Sequence, residues 1–256
     1  MRVESMIERV MFLLVIALVP AVSVLPEFMV RDNITTSSSW LADVPPPLRS
    51  GETLEQRIVI DQLLEDHWRH SNPYQNRDKG KHFTYGEVTP LGSRQVLQAM
   101  GLWNTSTAVL YDLGSGTGKF VVQAFLEHAA IKVVGIELSQ SRHEMAVQAW
   151  DSVLAAIQNH SSMNSHKEST VEFRHQDLLD ADFSDATHIY TCSLCFPAAV
   201  VTRLSQRILA IGASLQTVAA LSDLWLVEET GNWNKNVHEI QTTWGRGRLR
   251  VYQRRR

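Results

Sequence analysis

Tyr111-Asp112-Leu113-Gly114-Ser115-Gly116-Thr117-Gly118-Lys119 sets three alternate glycines behind an acidic residue. The apolar run Ala108–Leu113 leads into it, and a helical pattern over Lys119–Ala129 leads out. A strand that turns through glycines into a helix is the opening unit of a doubly wound sheet, whose ligands bind at the carboxyl ends of the strands. Glycine lacks Cβ, so the backbone can turn sharply there and a ligand can approach it closely. Spacing excludes two users of such loops. A P-loop requires glycine where Leu113 stands and Ser or Thr where Phe120 stands. A dinucleotide fingerprint requires glycine at Lys119 or at Val121.

Working outward, short apolar runs alternate with helical stretches. The strand candidates are Ala108–Leu113, Lys132–Leu138, Thr170–Gln176, Thr187–Thr191, Ser214–Ala219, His238–Trp244 and Leu249–Gln253. Helices are expected over Lys119–Ala129, Arg142–Asn159 and Ala198–Ala210, while the link between the third and fourth strands is too short for one. This order implies βαβ units and a parallel sheet. The last two strands, joined through Gly245-Arg246-Gly247, read as an antiparallel hairpin. The expected fold is therefore α/β, a doubly wound, mostly parallel seven-stranded sheet with an antiparallel C-terminal hairpin.

An acidic strand end followed by Gly114, Gly116 and Gly118 resembles the first motif of class I S-adenosylmethionine-dependent methyltransferases. Two further acids suit that cofactor. Glu137 ends the second strand, where a carboxylate can accept hydrogen bonds from ribose hydroxyls. Asp177, followed by Leu178, ends the third, where such enzymes contact the adenine amino group. Asp112 would lie near the methionine end.

The likeness extends further, over about Phe83 to Tyr252. Tyr85-Gly86-Glu87, Asp112-Leu113-Gly114-Ser115-Gly116 with Gly118, and Cys192-Ser193-Leu194-Cys195-Phe196-Pro197 resemble three segments of the non-SET histone lysine methyltransferases, the disruptor-of-telomeric-silencing family. These are the family's Tyr-Gly-Glu loop over the cofactor, its Asp-Leu-Gly-Ser-Gly loop, and its Asn-Asn-Phe-x-Phe segment along the lysine channel. Cys192 and Ser193 replace the two asparagines, Leu194 replaces the first phenylalanine, and Lys119 stands where glutamine is usual. Phe196 is retained. The resemblance implies S-adenosyl-L-methionine held by Glu87, Asp112, Gly114, Gly116, Gly118, Lys119, Glu137, Asp177 and Leu178. It places Tyr85, Ser193 and Phe196 at the reacting end, with Leu194 as a further channel wall. It also implies a protein lysine as acceptor, a histone being one such protein. A small-molecule or other protein methyltransferase on the same fold, and a non-catalytic module that binds cofactor or partner, remain open, because fold does not fix substrate.

Composition frames these expectations. In 256 residues, 44% hydrophobic and 20% charged composition is that of a globular chain, and a formal charge of -3 gives no global field to gather nucleic acid. The two cysteines, Cys192 and Cys195, are too few for a disulfide framework, and a structural zinc site needs four ligands. Arg246, Arg248, Arg250, Arg254, Arg255 and Arg256 make the C-terminus basic; they read either as a solvated face or as a grip on nucleic acid or anionic lipid. The apolar run Val10–Val19, with Ala21 and Ser23 behind it, suits a signal peptide or signal-anchor over residues 1–25, and so a membrane or the secretory route, whereas histone modification implies the nucleus. A Ser/Thr/Pro-rich linker over 26–50 and a helical lead-in and loop over 51–82 then precede the methyltransferase domain at 83–256. In the lead-in, Leu54, Ile58, Leu64 and Trp68 recur at helical spacing. Asn33, Asn104 and Asn159 match the glycosylation acceptor pattern.

Overall fold

A computed structural model describes residues 45–48, 51–69, 71, 86–105, 107–128, 131–158 and 170–255. The expectations placed on residues 1–25, on most of the linker, on the loop over 72–81, and on Asn33, Tyr85, Asn159 and Arg256 lie outside the described residues.

Seven strands form one sheet: β1 (Ala108–Leu113), β2 (Ile131–Glu137), β3 (Thr170–His175), β4 (His188–Thr191), β5 (Thr217–Ala220), β6 (Trp233–Thr242) and β7 (Gly245–Arg254), in the spatial order β3-β2-β1-β4-β5-β7-β6. The first five are parallel; β7 runs antiparallel to both β5 and β6. The chain winds outward from β1 to β3, then returns beside β1 with β4 and winds the other way. The crevice above the β1/β4 boundary is therefore the topological switch point.

The sheet is buried on both faces, which is why its central strands are apolar at successive positions. Leu110, Val133, Leu249 and Val251 face one layer, with α1 (Leu54–Trp68), α2 (Pro90–Ala99), α3 (Lys119–Glu127) and α4 (Gln140–Gln158) packed over it. Tyr111, Val134, Ile189, Val218 and Tyr252 face the other, covered by α5 (Ala198–Ala210) and the single-turn α6 (Trp225–Glu229). The link from β3 to β4 contains turns and no helix, as its length predicts.

Two expectations are corrected. The lead-in helix forms, started by a capping box between Thr53 and Gln56, but it buries Arg57, Ile60, Leu63, Leu64 and Trp68, while Leu54 and Ile58 are 62% and 59% exposed. Arg57 rotates the buried face away from them, because its guanidinium pairs with Glu52 at 2.9 Å and donates to the Pro46 carbonyl at 2.8 Å. The C-terminal hairpin turns at Thr243-Trp244, not through Gly245-Arg246-Gly247. Thr242 pairs with Gly245, and Gly247 lies inside β7 opposite Ile240. Both strands are consequently longer than their apolar cores suggested. The hairpin tip projects past the end of β5, since Ala220 is already level with Arg250.

Candidate active site

The glycine loop is held from three sides. Gly114, Gly116 and Gly118 adopt φ of 90°, 57° and 80°, the left-handed region that favours glycine. The Gly114 and Ser115 amides donate to the Ile136 carbonyl at 2.9 and 3.0 Å, which joins the loop to the end of β2. Glu137, at the last position of β2, accepts from the Gly116 amide at 2.8 Å through Oε2 and from the Ser139 amide at 2.8 Å through Oε1. From the helical layer, the Trp68 indole donates to the Thr117 carbonyl at 3.0 Å and to its hydroxyl at 3.1 Å.

Two cavities open over this loop, sharing Gly114 and Phe196. One, of about 330 Å³, is lined by Gly86, Gly116, Glu137, Arg142, Cys192, Leu194, Cys195 and Trp244 besides the shared pair. The other, of about 240 Å³, is lined by Ile136, Leu138, Gln176, Asp177, Leu178 and their neighbours. The Phe196 ring lies where a Cβ on Gly114 would come within 2.9 Å of it, so glycine is required for that contact. Asp177 is fixed by accepting the Leu179 amide at 2.8 Å.

Asp112 is the penultimate residue of β1, 3% exposed, and its Oδ1 has no hydrogen-bond partner. Burial, reinforced by the nearby charge of Glu137, holds its carboxyl well above the usual carboxylate range. An orphaned buried acid beside a glycine cradle fits the ammonium group of a bound amino-acid moiety, which would supply its missing partner. The lining suits S-adenosylmethionine, with Gly114, Gly116 and Glu137 in the larger cavity and Asp177 and Leu178 in the smaller, while Asp112 and Gly118 lie behind the loop and line neither.

Not every candidate lines the cavities. Lys119 and Glu87 pair with each other at 2.8 Å, and neither side chain borders them. Their ion pair ties the Gly86–Thr89 segment to the start of α3. That segment is also held by the hairpin, through the Thr243 amide on the Glu87 carbonyl at 2.9 Å and a bridge between Val88 and Thr242. Ser193 departs from its expected place. In the 3-10 turn Ser193–Cys195 it faces inward, 1% exposed, with its hydroxyl 2.6 Å from that of Ser222. Its neighbours Cys192, Leu194, Cys195 and Phe196 form the cavity wall instead. Two wall residues were not anticipated. Arg142, 5% exposed near the start of α4, carried no motif. Trp244 was read as the end of a strand, yet the hairpin turn brings its ring against Gly86, where a Cβ would come within 2.5 Å.

Elsewhere, three C-terminal arginines serve the fold. Arg250 pairs with Asp223 at 3.0 Å, Arg254 donates to the Leu215 carbonyl at 2.9 Å and lies over the Trp233 ring, and Arg255 donates to Asn234 at 2.9 Å. Arg246 and Arg248 are exposed. Among the described residues no helix is long and apolar enough to cross a membrane.

In sequence comparisons, residues 69–221 match the family described as histone methylation protein DOT1. No curated protein matches the chain. Solved structures that resemble it include a magnesium protoporphyrin IX methyltransferase from Synechocystis PCC 6803, at 14% identity over 79% of this chain and 99% of that one, with a TM-score of 0.46. A precorrin-6y C5,15-methyltransferase from Geobacter metallireducens GS-15 is 9% identical over 64% of this chain and 87% of that one, with a TM-score of 0.45. A tRNA methyltransferase from B. subtilis is 14% identical over 62% and 65% of the two chains, with a TM-score of 0.45.

Proposed function

The chain belongs to the histone methylation protein DOT1 family, and from that premise we propose that it methylates the side-chain amine of a protein lysine, with a histone as the first candidate substrate. As a member of that family it is a class I S-adenosylmethionine-dependent methyltransferase. The observation that carries the lysine reading is the apolar lining of the larger cavity by Leu194, Phe196 and Trp244, with the Phe196 ring against Gly114 of the glycine loop.

When bound, the cofactor would supply a sulfonium-activated methyl group for in-line transfer, with the neutral thioether as leaving group. The protein's own contribution is alignment and exclusion of water. Glu137 fixes the loop backbone through Oε2 on the Gly116 amide, its Oε1 being held by the Ser139 amide, so the cradle is formed before any ligand arrives. Asp112 holds a buried, unpartnered acceptor two residues before Gly114. An acceptor amine entering between Leu194, Phe196 and Trp244 leaves water, and burial disfavours its ammonium form, which raises the fraction of the reactive neutral amine.

The test is transfer from methyl-tritiated S-adenosylmethionine by the full chain, offered purified nucleosomes and whole-cell extract in parallel, with labelled residues located by mass spectrometry. Label on lysine Nζ supports the proposal, and a histone band identifies the substrate. Label on other side chains, or on small molecules alone, rejects the lysine reading while leaving the methyltransferase intact.

A further inference from the structure

The Cys192-x-x-Cys195 pair serves no role in the chemistry above, although both residues line the larger cavity. They bracket the 3-10 turn Ser193–Cys195, with Cys192 at its N-cap. Cys192 has φ -84° and ψ 68°, outside the turn proper, but three steps of 3-10 rise through Ser193 and Leu194 set the Cys192 and Cys195 Cα atoms about 6 Å apart. Disulfides favour Cα separations of about 5.5–6 Å, so this turn is shaped to accept one.

The two sulfurs are unequal. Cys195 is exposed. Cys192 is half-buried, and its thiol donates to the Gly86 carbonyl at 3.5 Å. Burial pushes the Cys192 thiol up to about 12, and the charges of Asp112 and Cys195 beside it add to the effect. Reaction with an oxidant therefore begins at Cys195, the accessible sulfur, since thiolate character and access govern exchange.

We propose that Cys192 and Cys195 are a reversible oxidation site in the wall of the acceptor cavity, closed to a disulfide by exchange with a low-molecular-weight disulfide. In the first exchange, the Cys195 thiolate attacks one sulfur of that disulfide, forming a mixed disulfide and releasing one thiolate. In the second, Cys192 gives up its proton to solvent as its sulfur attacks the Cys195 sulfur of the mixed disulfide, the new S–S bond forms, and a second thiolate leaves, a step that its raised pKa makes the slower of the two. The two cysteines lose two protons and two electrons, and the small disulfide becomes two thiols. Closure removes the Cys192 donor from the Gly86 carbonyl and with it one tie between the cavity wall and the Gly86–Thr89 segment. That segment carries Glu87 and packs under Trp244. A bridge with its Cys195 sulfur exposed is open to attack by thiols and readily reduced, the property of regulatory disulfides.

The effect on transfer rests on the methyltransferase reading; the disulfide itself does not, and the experiment separates them. Full-length protein is equilibrated across a series of reduced and oxidised glutathione mixtures, then alkylated and digested. Mass spectrometry reads the Cys192–Cys195 peptide, and methyl transfer and cofactor binding are measured on the same samples. The expected result is an unalkylated peptide lacking two hydrogens, with transfer reduced by up to about a hundredfold, the scale on which a 1 Å misplacement at a site acts, and restored by dithiothreitol. Cys195→Ser should form no bridge, and its transfer, compared with its own reduced sample, should not respond to the series. Two alkylatable thiols throughout, or a glutathione adduct on Cys195 that Cys192 never displaces, overturns the site. A bridge that forms without changing transfer overturns its control of the acceptor cavity. Reduced protein that neither binds cofactor nor transfers methyl rejects the methyltransferase reading instead, while the peptide still reports on the bridge.

Discussion

The Trp68 indole nitrogen lies 3.0 Å from the Thr117 carbonyl oxygen and 3.1 Å from its hydroxyl, which makes the last residue of α1 a prop for the glycine loop 49 positions downstream. Trp68 is 4% exposed and packs in the same apolar layer as α3. Trp68→Phe keeps an aromatic ring in place and removes the N–H donor. A buried hydrogen bond is worth about 1 kcal/mol net, so cofactor affinity should fall roughly fivefold. Calorimetric titration checks this. A lowered melting temperature with unchanged affinity would show that the indole supports the fold and not the loop.

Glu137 spends both carboxylate oxygens on backbone amides of Gly116 and Ser139. Glu137→Gln keeps one acceptor but presents an N–H₂ to the other amide, and charge-assisted bonds are worth about 1.5–3 kcal/mol. Affinity for S-adenosylmethionine should drop by at least about tenfold, and further in Glu137→Ala. Equilibrium binding of the three proteins measures the series. Equal affinities would remove Glu137 from the site.

Gly118, at φ 80°, faces the Phe173 ring and Ala146, which a Cβ would meet at 2.7 and 2.8 Å. Gly118→Ala adds backbone strain to overpacking, each costing of order 1–3 kcal/mol. Urea denaturation should show a loss of at least about 2 kcal/mol. Gly212→Ala is the control, because nothing lies within 4 Å of its added Cβ.

Asp112 sets a pH dependence opposite to that of a paired carboxylate. Its folded-state pKa is raised, chiefly by burial and then by Glu137. The native state thus keeps a proton that the unfolded chain has already lost. Its contribution to stability is most favourable below the unfolded pKa of about 3.9 and declines as pH rises from there toward the folded value. Asp112→Asn should abolish that decline in ligand-free protein and also weaken cofactor binding. Melting curves across pH, with and without S-adenosylmethionine, test both. An unchanged slope in the variant would place the titration elsewhere.

His188 behaves in the other sense. Burial, aided by the charge of His128, lowers it to about 4. Unfolded histidine gains its proton near pH 6.5, so stability is lost as pH falls from there to about 4, by at most about 3 kcal/mol. The stability difference between His188→Phe and the unaltered chain should therefore shift between pH 7 and pH 4.5. A constant difference would exclude His188 as a source of acid lability.

The glycine loop, the strand-end acids and the order of winding were legible in the sequence because each is local. A left-handed turn needs glycine, and a buried strand needs consecutive apolar residues. What escaped depended on registry between distant segments. Trp244 reaches the cavity because Thr242 pairs with Gly245 and the tip rises beyond β5; the two glycines at 245 and 247 suggested a later turn. Ser193 turns inward because Ser222, after β5, offers it a partner. On α1, apolar spacing alone pointed to Leu54 and Ile58. The buried Arg57 ion pair moved the face, and a charged residue gives no hydrophobic signal.

The central claim, that the loop from Gly114 to Gly118 holds a methyl donor, is tested most directly by titrating the full chain with S-adenosylmethionine in a calorimeter beside Gly116→Arg. A single saturable site in the unaltered protein, absent from the variant while its circular dichroism stays native, is the predicted result. No heat of binding in the unaltered protein, or equal binding in both, would contradict it.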